Sequence, residues 1–292
     1  VHRVGGNQTW KVPAENNAQQ TPAIVGDHVY AIDDNGILYD FALQNGELRW
    51  SLALNWPPVT GINVVADYLL ITTRRNNEYW LVMREQEDGD FVSEFNMGEI
   101  SPQYPAVGDQ LVYIASDHVS ALDVFDNLTE IWRYDDINTA TAPPFYMRPG
   151  VSAVAELYVA DSGNRVVSLD ANTGAVLWVY EGGEQVTGMA ADEERLYLSG
   201  NGFIKAISRR DQAVIWSGSS NGLVLGGPIV GNGEVLTLTE NGEIGYWDAI
   251  SGDRTYSLGD IRSYQNPGAI AGEQIYIIGE GAKMYGFQGG GR

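Results

Sequence analysis

Apolar residues along this chain fall into short runs, alternating with polar positions or continuous over about five or six residues, each bounded by turn residues. One phrase opens each cycle of the pattern: "TPAIVGD" (21–27), "YPAVGD" (104–109), "GGPIVGNGE" (226–234) and "PGAIAGE" (267–273). Fainter copies are "GINVVAD" (61–67), "PGVSAVAE" (149–156) and "TGMAADEE" (187–194), which brings the count to seven. A second apolar run follows each copy, as in "HVYAID" (28–33), "LVYIAS" (111–116), "LYVAD" (157–161) and "IYIIG" (275–279). A turn comes next, with Asn-Gly at 35–36, 201–202 and 241–242, a pair that tolerates the positive φ of a two-residue hairpin. A third run such as "RVVSLD" or "FIKAIS", a second turn and a fourth run close the cycle.

The fourth run carries an aromatic residue: Trp50, Trp132, Trp178 and Trp216, with Tyr256 in the sixth cycle. Gly46, Gly174 and Gly252 precede that aromatic by four residues. In the second cycle Gly89 is present, but the same count lands on Ser93, with Phe91 and Phe95 beside it. Four strands at a period near forty residues predict an all-β fold, a seven-bladed β-propeller of four-stranded antiparallel blades. The blades fall at about 20–50, 60–97, 104–134, 149–180, 187–217, 226–257 and 267–288, in one domain spanning 1–292. The seventh cycle ends in "GGGR" without a fourth strand, whereas "GNQTW" (6–10) sets Gly6 four residues before Trp10. Residues 4–12 are therefore expected to complete the last blade. In each blade the indole is expected to lie between neighbours as structural glue, with Asp170 and Thr173 bonding the turn at Gly174.

Composition agrees with many short strands and narrows the chemistry. Thirty-five Gly, 16 Tyr and 8 Trp suit turn-rich β structure. The net charge of −21 opposes nucleic-acid phosphates and anionic lipid, so neither is an expected partner. No apolar run approaches the ~18 residues of a membrane-spanning helix. "VHRVGGNQTW" lacks the shape of a signal peptide and suits the start of a mature chain. Cysteine is absent, which removes disulfides and thiol catalysis. "DDNG" (33–36) lacks the further acidic ligands of a calcium loop and reads as a hairpin turn. His2, His28 and His118 stand beside no nucleophile motif, and the repeat register puts His28 and His118 at opposite faces. Asp135-Asp136 and the triplets at Asn7 and Asn127 are chance-level patterns for glycosidase carboxylates and glycosylation.

"SLDANTGAVLW" (168–178) resembles the tryptophan-docking motif of the pyrroloquinoline-quinone (PQQ)-like repeat propellers, Ala-x-Asp-x-x-Thr-Gly-x-x-x-Trp. Asp170, Thr173, Gly174 and Trp178 match, with Ser168 in place of Ala; "YWDAISGDRTY" (246–256) keeps Asp248 and Gly252. The resemblance implies one of two branches. Quinoprotein dehydrogenases hold PQQ and calcium on an eight-bladed axis. A non-catalytic, BamB-like branch of outer-membrane assembly lipoproteins docks protein partners in the periplasm. This chain departs from both in its seven blades, and from the second in having no cysteine.

The expectation is a non-enzymatic scaffold of the periplasm or cell exterior, without cofactor or metal, that docks a protein partner. The alternatives are a PQQ- and calcium-binding dehydrogenase and a carbohydrate-binding propeller. Docking is expected on the face that carries the inter-blade loops and the hairpins between second and third strands. Its loops bear Trp56, Tyr104, Arg262 and Tyr264, and the long 135–150 segment bears Phe145, Tyr146, Met147 and Arg148. The hairpins add Arg74, Arg75 and Arg165; aromatic residues and Arg on loops are the usual anchors of an interface.

Overall fold

The computed structural model describes residues 20, 22–150, 153–258, 269–271, 274–279 and 283–288. They form twenty-seven strands and no helix, divided between two compact units, one within 7–137 and one within 138–292.

The first unit holds three four-stranded antiparallel sheets, each a simple meander. The first consists of β1 (Ala23–Val25), β2 (His28–Ile32), β3 (Ile37–Ala42) and β4 (Leu48–Ala53). The second consists of β5 (Pro58–Val65), β6 (Tyr68–Arg75), β7 (Glu78–Glu85) and β8 (Phe91–Gly98). The third consists of β9 (Ala106–Val107), β10 (Leu111–Ala115), β11 (Val119–Asp123) and β12 (Thr129–Tyr134).

The second unit repeats the plan. Its sheets are β13 (Phe145–Met147), β14 (Glu156–Ala160), β15 (Arg165–Asp170) and β16 (Val176–Glu181), then β17 (Gly188–Ala191), β18 (Arg195–Gly200), β19 (Phe203–Ser208) and β20 (Val214–Gly218). A third contains β21 (Ile229–Gly231), β22 (Glu234–Leu238), β23 (Ile244–Asp248) and β24 (Arg254–Leu258). A three-stranded sheet follows, of β25 (Ala269–Ala271), β26 (Gln274–Gly279) and β27 (Lys283–Gln288). Residues 4–12, including Trp10, lie outside the described residues, as do Arg262 and Tyr264.

One correction concerns the fourth sheet. The spacing predicts its first strand at 149–156, but that strand is Phe145–Met147, with Phe145 opposite Tyr158 and Met147 opposite Glu156. Alternation explains the choice. Phe145 and Met147 pack on the core of Ala142, Val186 and Met189, whereas Pro149 and Gly150 bend after the strand. The 135–150 segment is thus not one long insertion.

Local geometry recurs from sheet to sheet. A tyrosine of the second strand faces a smaller residue of the third, which faces the fourth-strand tryptophan. The rows are Tyr30–Asp40–Trp50, Tyr113–Ala121–Trp132, Tyr158–Ser168–Trp178 and Tyr197–Ala206–Trp216. The small middle residue lets the outer rings meet above it, with centroids 5.6–6.0 Å apart and tilted by 36–46°. Each such pair adds about 0.5–1.5 kcal/mol beyond its buried area. All four tyrosines are buried. The β21–β24 sheet inverts the order to Leu236–Tyr246–Tyr256, with the large residue in the middle. A bulge sits just before the aromatic position in every one of these rows, which strengthens the local twist.

The turn before each fourth strand also repeats. Gly46, Gly89, Gly174 and Gly252 hold φ of 71–77°, and Leu128 and Gln212 hold 61° at the equivalent place. An aspartate caps the turn: Asp170 Oδ1 accepts from Asn172 N (2.8 Å) and Thr173 N (3.1 Å), and Asp248 Oδ1 from Ile250 N and Ser251 N (both 2.9 Å).

Candidate protein-interaction site

The turns also receive the neighbouring sheet. A Cβ placed on Gly89 would stand 3.0 Å from the Trp50 indole, and one on Gly252 2.5 Å from Trp216. Trp216 Nε1 and Tyr197 Oη both donate to Ala249 O of the next sheet's turn, at 3.1 and 3.2 Å. Trp216 is 7% exposed; Trp50, Trp132 and Trp178 are half-buried. Ser93 takes the tryptophan's place in the second sheet, and its hydroxyl donates to Asn127 O of the next turn at 2.7 Å.

The opposite ends of the strands carry the hairpins between second and third strands and the loops between sheets. Backbone bonds lace each loop to a hairpin: Leu54 N to Gly36 O (2.8 Å), Arg74 N to Pro57 O (3.2 Å), Thr141 N to Ala160 O (2.9 Å) and Leu225 N to Leu238 O (2.7 Å). Buried Asp33 holds the first hairpin, accepting from Asn35 N, Ile37 N and Tyr39 Oη. Its carboxylate is thereby committed to the "DDNG" turn.

In the first unit this end gathers Trp56, Arg74 and Arg75. Gly36, at φ 81°, comes so close to the loop that a Cβ there would meet Trp56 O at 2.4 Å. Trp56 is 37% exposed. The Arg75 guanidinium lies 5.9 Å from the Trp56 ring and 4.8 Å from that of Trp80, and donates to Glu94 Oε1 (3.0 Å) and Oε2 (2.5 Å). Such cation–π contacts contribute on the order of 0.5–1 kcal/mol each where solvent is near. Arg74 is exposed and lies 5.7 Å over Tyr79. Trp80, Tyr79 and Glu94 were not legible as site residues. They stand inside strands, and only the β6–β7 and β7–β8 registers bring them to Arg74 and Arg75.

Other candidates are built into the scaffold. Tyr104 is half-buried, with its hydroxyl donating to Ile62 O at 3.1 Å and its ionisation pushed up by burial. In the second unit, Phe145 and Met147 pack on the core while Arg148 is exposed just after β13. Tyr146, between them, is half-buried. Arg165 grips buried Asp161 through Nε (3.1 Å) and Nη2 (2.8 Å). Burial opposes ionisation of Asp161, but bonds from Arg165 and from the Asn138 and Arg165 amides prevail and hold its carboxyl below the usual range.

Among the described residues no three His, Asp or Glu side chains converge as a metal ligand set. His28 opens β2, with Nδ1 2.9 Å from Asp40; His118 closes the β10–β11 hairpin, with Nδ1 2.7 Å from Asp117.

Consecutive four-stranded meanders, docked aromatic against turn, are the signature of a repeat propeller. A family model described as outer membrane protein assembly factor BamB (PQQ_2) matches residues 1–72 and 61–191, and the chain belongs to this family of PQQ-like repeat propellers. An outer membrane protein assembly factor BamB of Burkholderia pseudomallei (strain K96243) is 27% identical over 139 residues, 46% of this chain. The matched stretch spans 35% of that relative's length. Among solved structures, BamB from Moraxella catarrhalis superimposes with a TM-score of 0.79 at 16% identity, over 96% of this chain and 85% of that one. Quinohemoprotein alcohol dehydrogenase from Comamonas testosteroni gives 0.74 at 11% identity, over 93% and 67%. The computationally designed Ika8 protein gives 0.65 at 11%, over 97% and 100%. At these identities the structural likenesses establish the fold alone.

Proposed function

We propose that this protein is a non-enzymatic, BamB-like scaffold of the cell envelope, periplasmic or extracellular, that docks a protein partner through its loop-and-hairpin end. Family membership supports the kind of protein, and the matched relatives are named as factors of outer-membrane protein assembly. The partner is accordingly sought in that machinery. The observation that carries the docking end is Trp56, an exposed indole braced by Arg75, which Trp80 and Glu94 hold in turn. An aromatic anchor ordered in advance loses little freedom on binding.

The reading includes seven blades in one domain. The last sheet aligns Ala269, Tyr276 and Gly286, the same order of large then small that elsewhere ends on tryptophan. Trp10, four residues after Gly6, has the spacing to be that fourth member. By the repeat, Tyr104 and Arg165 belong to loops and hairpins of their own sheets equivalent to those that carry Trp56 and Arg74.

The test is capture of purified outer-membrane assembly components by the full chain. Trp56→Ala and Arg74→Ala are expected to weaken capture at least tenfold, about 1.4 kcal/mol, without altering circular dichroism or Tm. Undiminished capture overturns the chosen face. Added PQQ and calcium are expected to give neither quinone absorbance nor a thermal shift, and the appearance of either overturns the non-enzymatic reading.

A further inference from the structure

The first unit has a cavity of about 500 Å³ at the strand ends away from Arg74 and Arg75, lined by His28, Tyr30, Asp67, Tyr68, Glu85, Gln86 and Glu87. We propose that it receives an arginine side chain presented by a partner polypeptide. The site is independent of the docking end above.

The charge balance is one-sided. Asp67, Glu85 and Glu87 are exposed, and none has an ion-pair partner among the described residues. His28, the one basic residue in the wall, is turned to Asp40 (Nδ1–Oδ2 2.9 Å) and stacked on Tyr30 at 5.6 Å and 9°. The guanidinium of Arg49, which contacts His28, is committed to Asp27. Behind His28 and Tyr30, fully buried Asp40 keeps Oδ1 without a hydrogen-bond partner. A cation entering here meets three open carboxylates and the field of a fourth.

The walls select the kind of cation. Half-buried Tyr68 offers ring surface, with the Tyr30 ring covered by His28 and Trp50 behind the wall, and ring surface favours a delocalised guanidinium over a compact hydrated ammonium. Phe125, on the turn after β11, meets Tyr68 edge-on at 6.5 Å and is 56% exposed. It extends the cavity with an apolar step beside the cation seat. A free small cation leaves that step unused, whereas an arginine flanked by apolar residues covers both. The volume lies within the roughly 300–1,000 Å³ of ordinary ligand sites.

The experiment follows backbone amide NMR of the full chain titrated with N-acetyl-arginine amide, N-acetyl-citrulline amide, spermidine and a blocked Leu-Arg-Leu tripeptide. The arginine amide and the tripeptide are expected to shift Asp67, Tyr68 and Glu85 to Glu87, and the neutral citrulline amide is not. The tripeptide is expected to bind at least tenfold more tightly than the arginine amide or spermidine. Glu85→Gln with Glu87→Gln should remove at least tenfold of that affinity, and Phe125→Ser should reduce the tripeptide to the level of the arginine amide. Absence of shifts with the arginine amide, equal response to citrulline, spermidine equal to the tripeptide, or indifference to these substitutions overturns the proposal.

Discussion

The indole of Trp216 lies against Gly252, a turn residue of the next sheet, so closely that a Cβ at 252 would stand 2.5 Å from both Cγ and Cδ2. The same indole donates through Nε1 to Ala249 O at 3.1 Å. One residue of the repeat thus secures its own sheet, through Tyr197, and the neighbouring sheet, through the turn. Glycine at 252 meets two demands, a φ of 74° and an absent side chain.

Gly252→Ala is therefore expected to cost about 2–4 kcal/mol, from left-handed strain and overpacking together. Gly26→Ala serves as the comparison, since φ is 59° there but nothing lies within 4 Å. Its cost should stop at the ~1–2 kcal/mol of left-handed strain. Urea unfolding midpoints distinguish the two, and equal losses contradict the docking role of the glycine.

Gln212 occupies the same left-handed turn position at φ 61° without being glycine. Gln212→Gly should raise stability by up to ~1 kcal/mol, because the strain disappears. Leu128→Gly, at an equally left-handed position, should instead lower it, since Leu128 is buried in the core beside Met97 and Val124. Thermal denaturation of the two variants should move in opposite directions.

Arg209 is buried between the two sheets β13–β16 and β17–β20. It meets Glu156 Oε2 at 3.1 Å, the Tyr158 hydroxyl at 2.6 Å, and the carbonyls of Asp192 and Glu193 at 3.0 and 2.7 Å. Arg209→Met alone leaves a buried carboxylate uncompensated and should cost about 3–5 kcal/mol. Adding Glu156→Gln should recover a substantial part of the loss. A double variant no better than the single one assigns the cost to packing rather than charge.

Acid should act through Asp161. Its carboxyl titrates below its unfolded value of about 3.9, so its contribution is fully present above that pH. The contribution is lost as pH falls through the folded value. The stability gap between wild type and Asp161→Asn should accordingly be constant above about pH 5 and shrink toward pH 2. Chemical denaturation at stepped pH measures it, and a gap that widens in acid contradicts the assignment.

The chain order of strands was legible because each meander is local: alternation marks the strands, and Asn-Gly or Thr-Gly marks the turns. Trp50, Trp132, Trp178 and Trp216 were legible by their spacing from a turn. Leu128 and Gln212 hid two copies of that turn, because the left-handed position is imposed by the flanking strands and not announced by the residue. The first strand of the fourth sheet was misplaced for a similar reason: "PGVSAVAE" imitates the opening phrase, while pairing with Tyr158 selects Phe145 to Met147.

Sequence alone therefore determined the all-β repeat and its aromatic positions, since both follow from periodic patterns within a few dozen residues. Tertiary structure decided which rings and charges serve a surface. Register alone brings Trp80 and Glu94 to Arg75, ties Tyr104 to Ile62, and leaves Asp67, Glu85 and Glu87 around one cavity. Those meetings depend on side chains from separate strands sharing one end of a sheet, a relation that spacing along a chain does not encode.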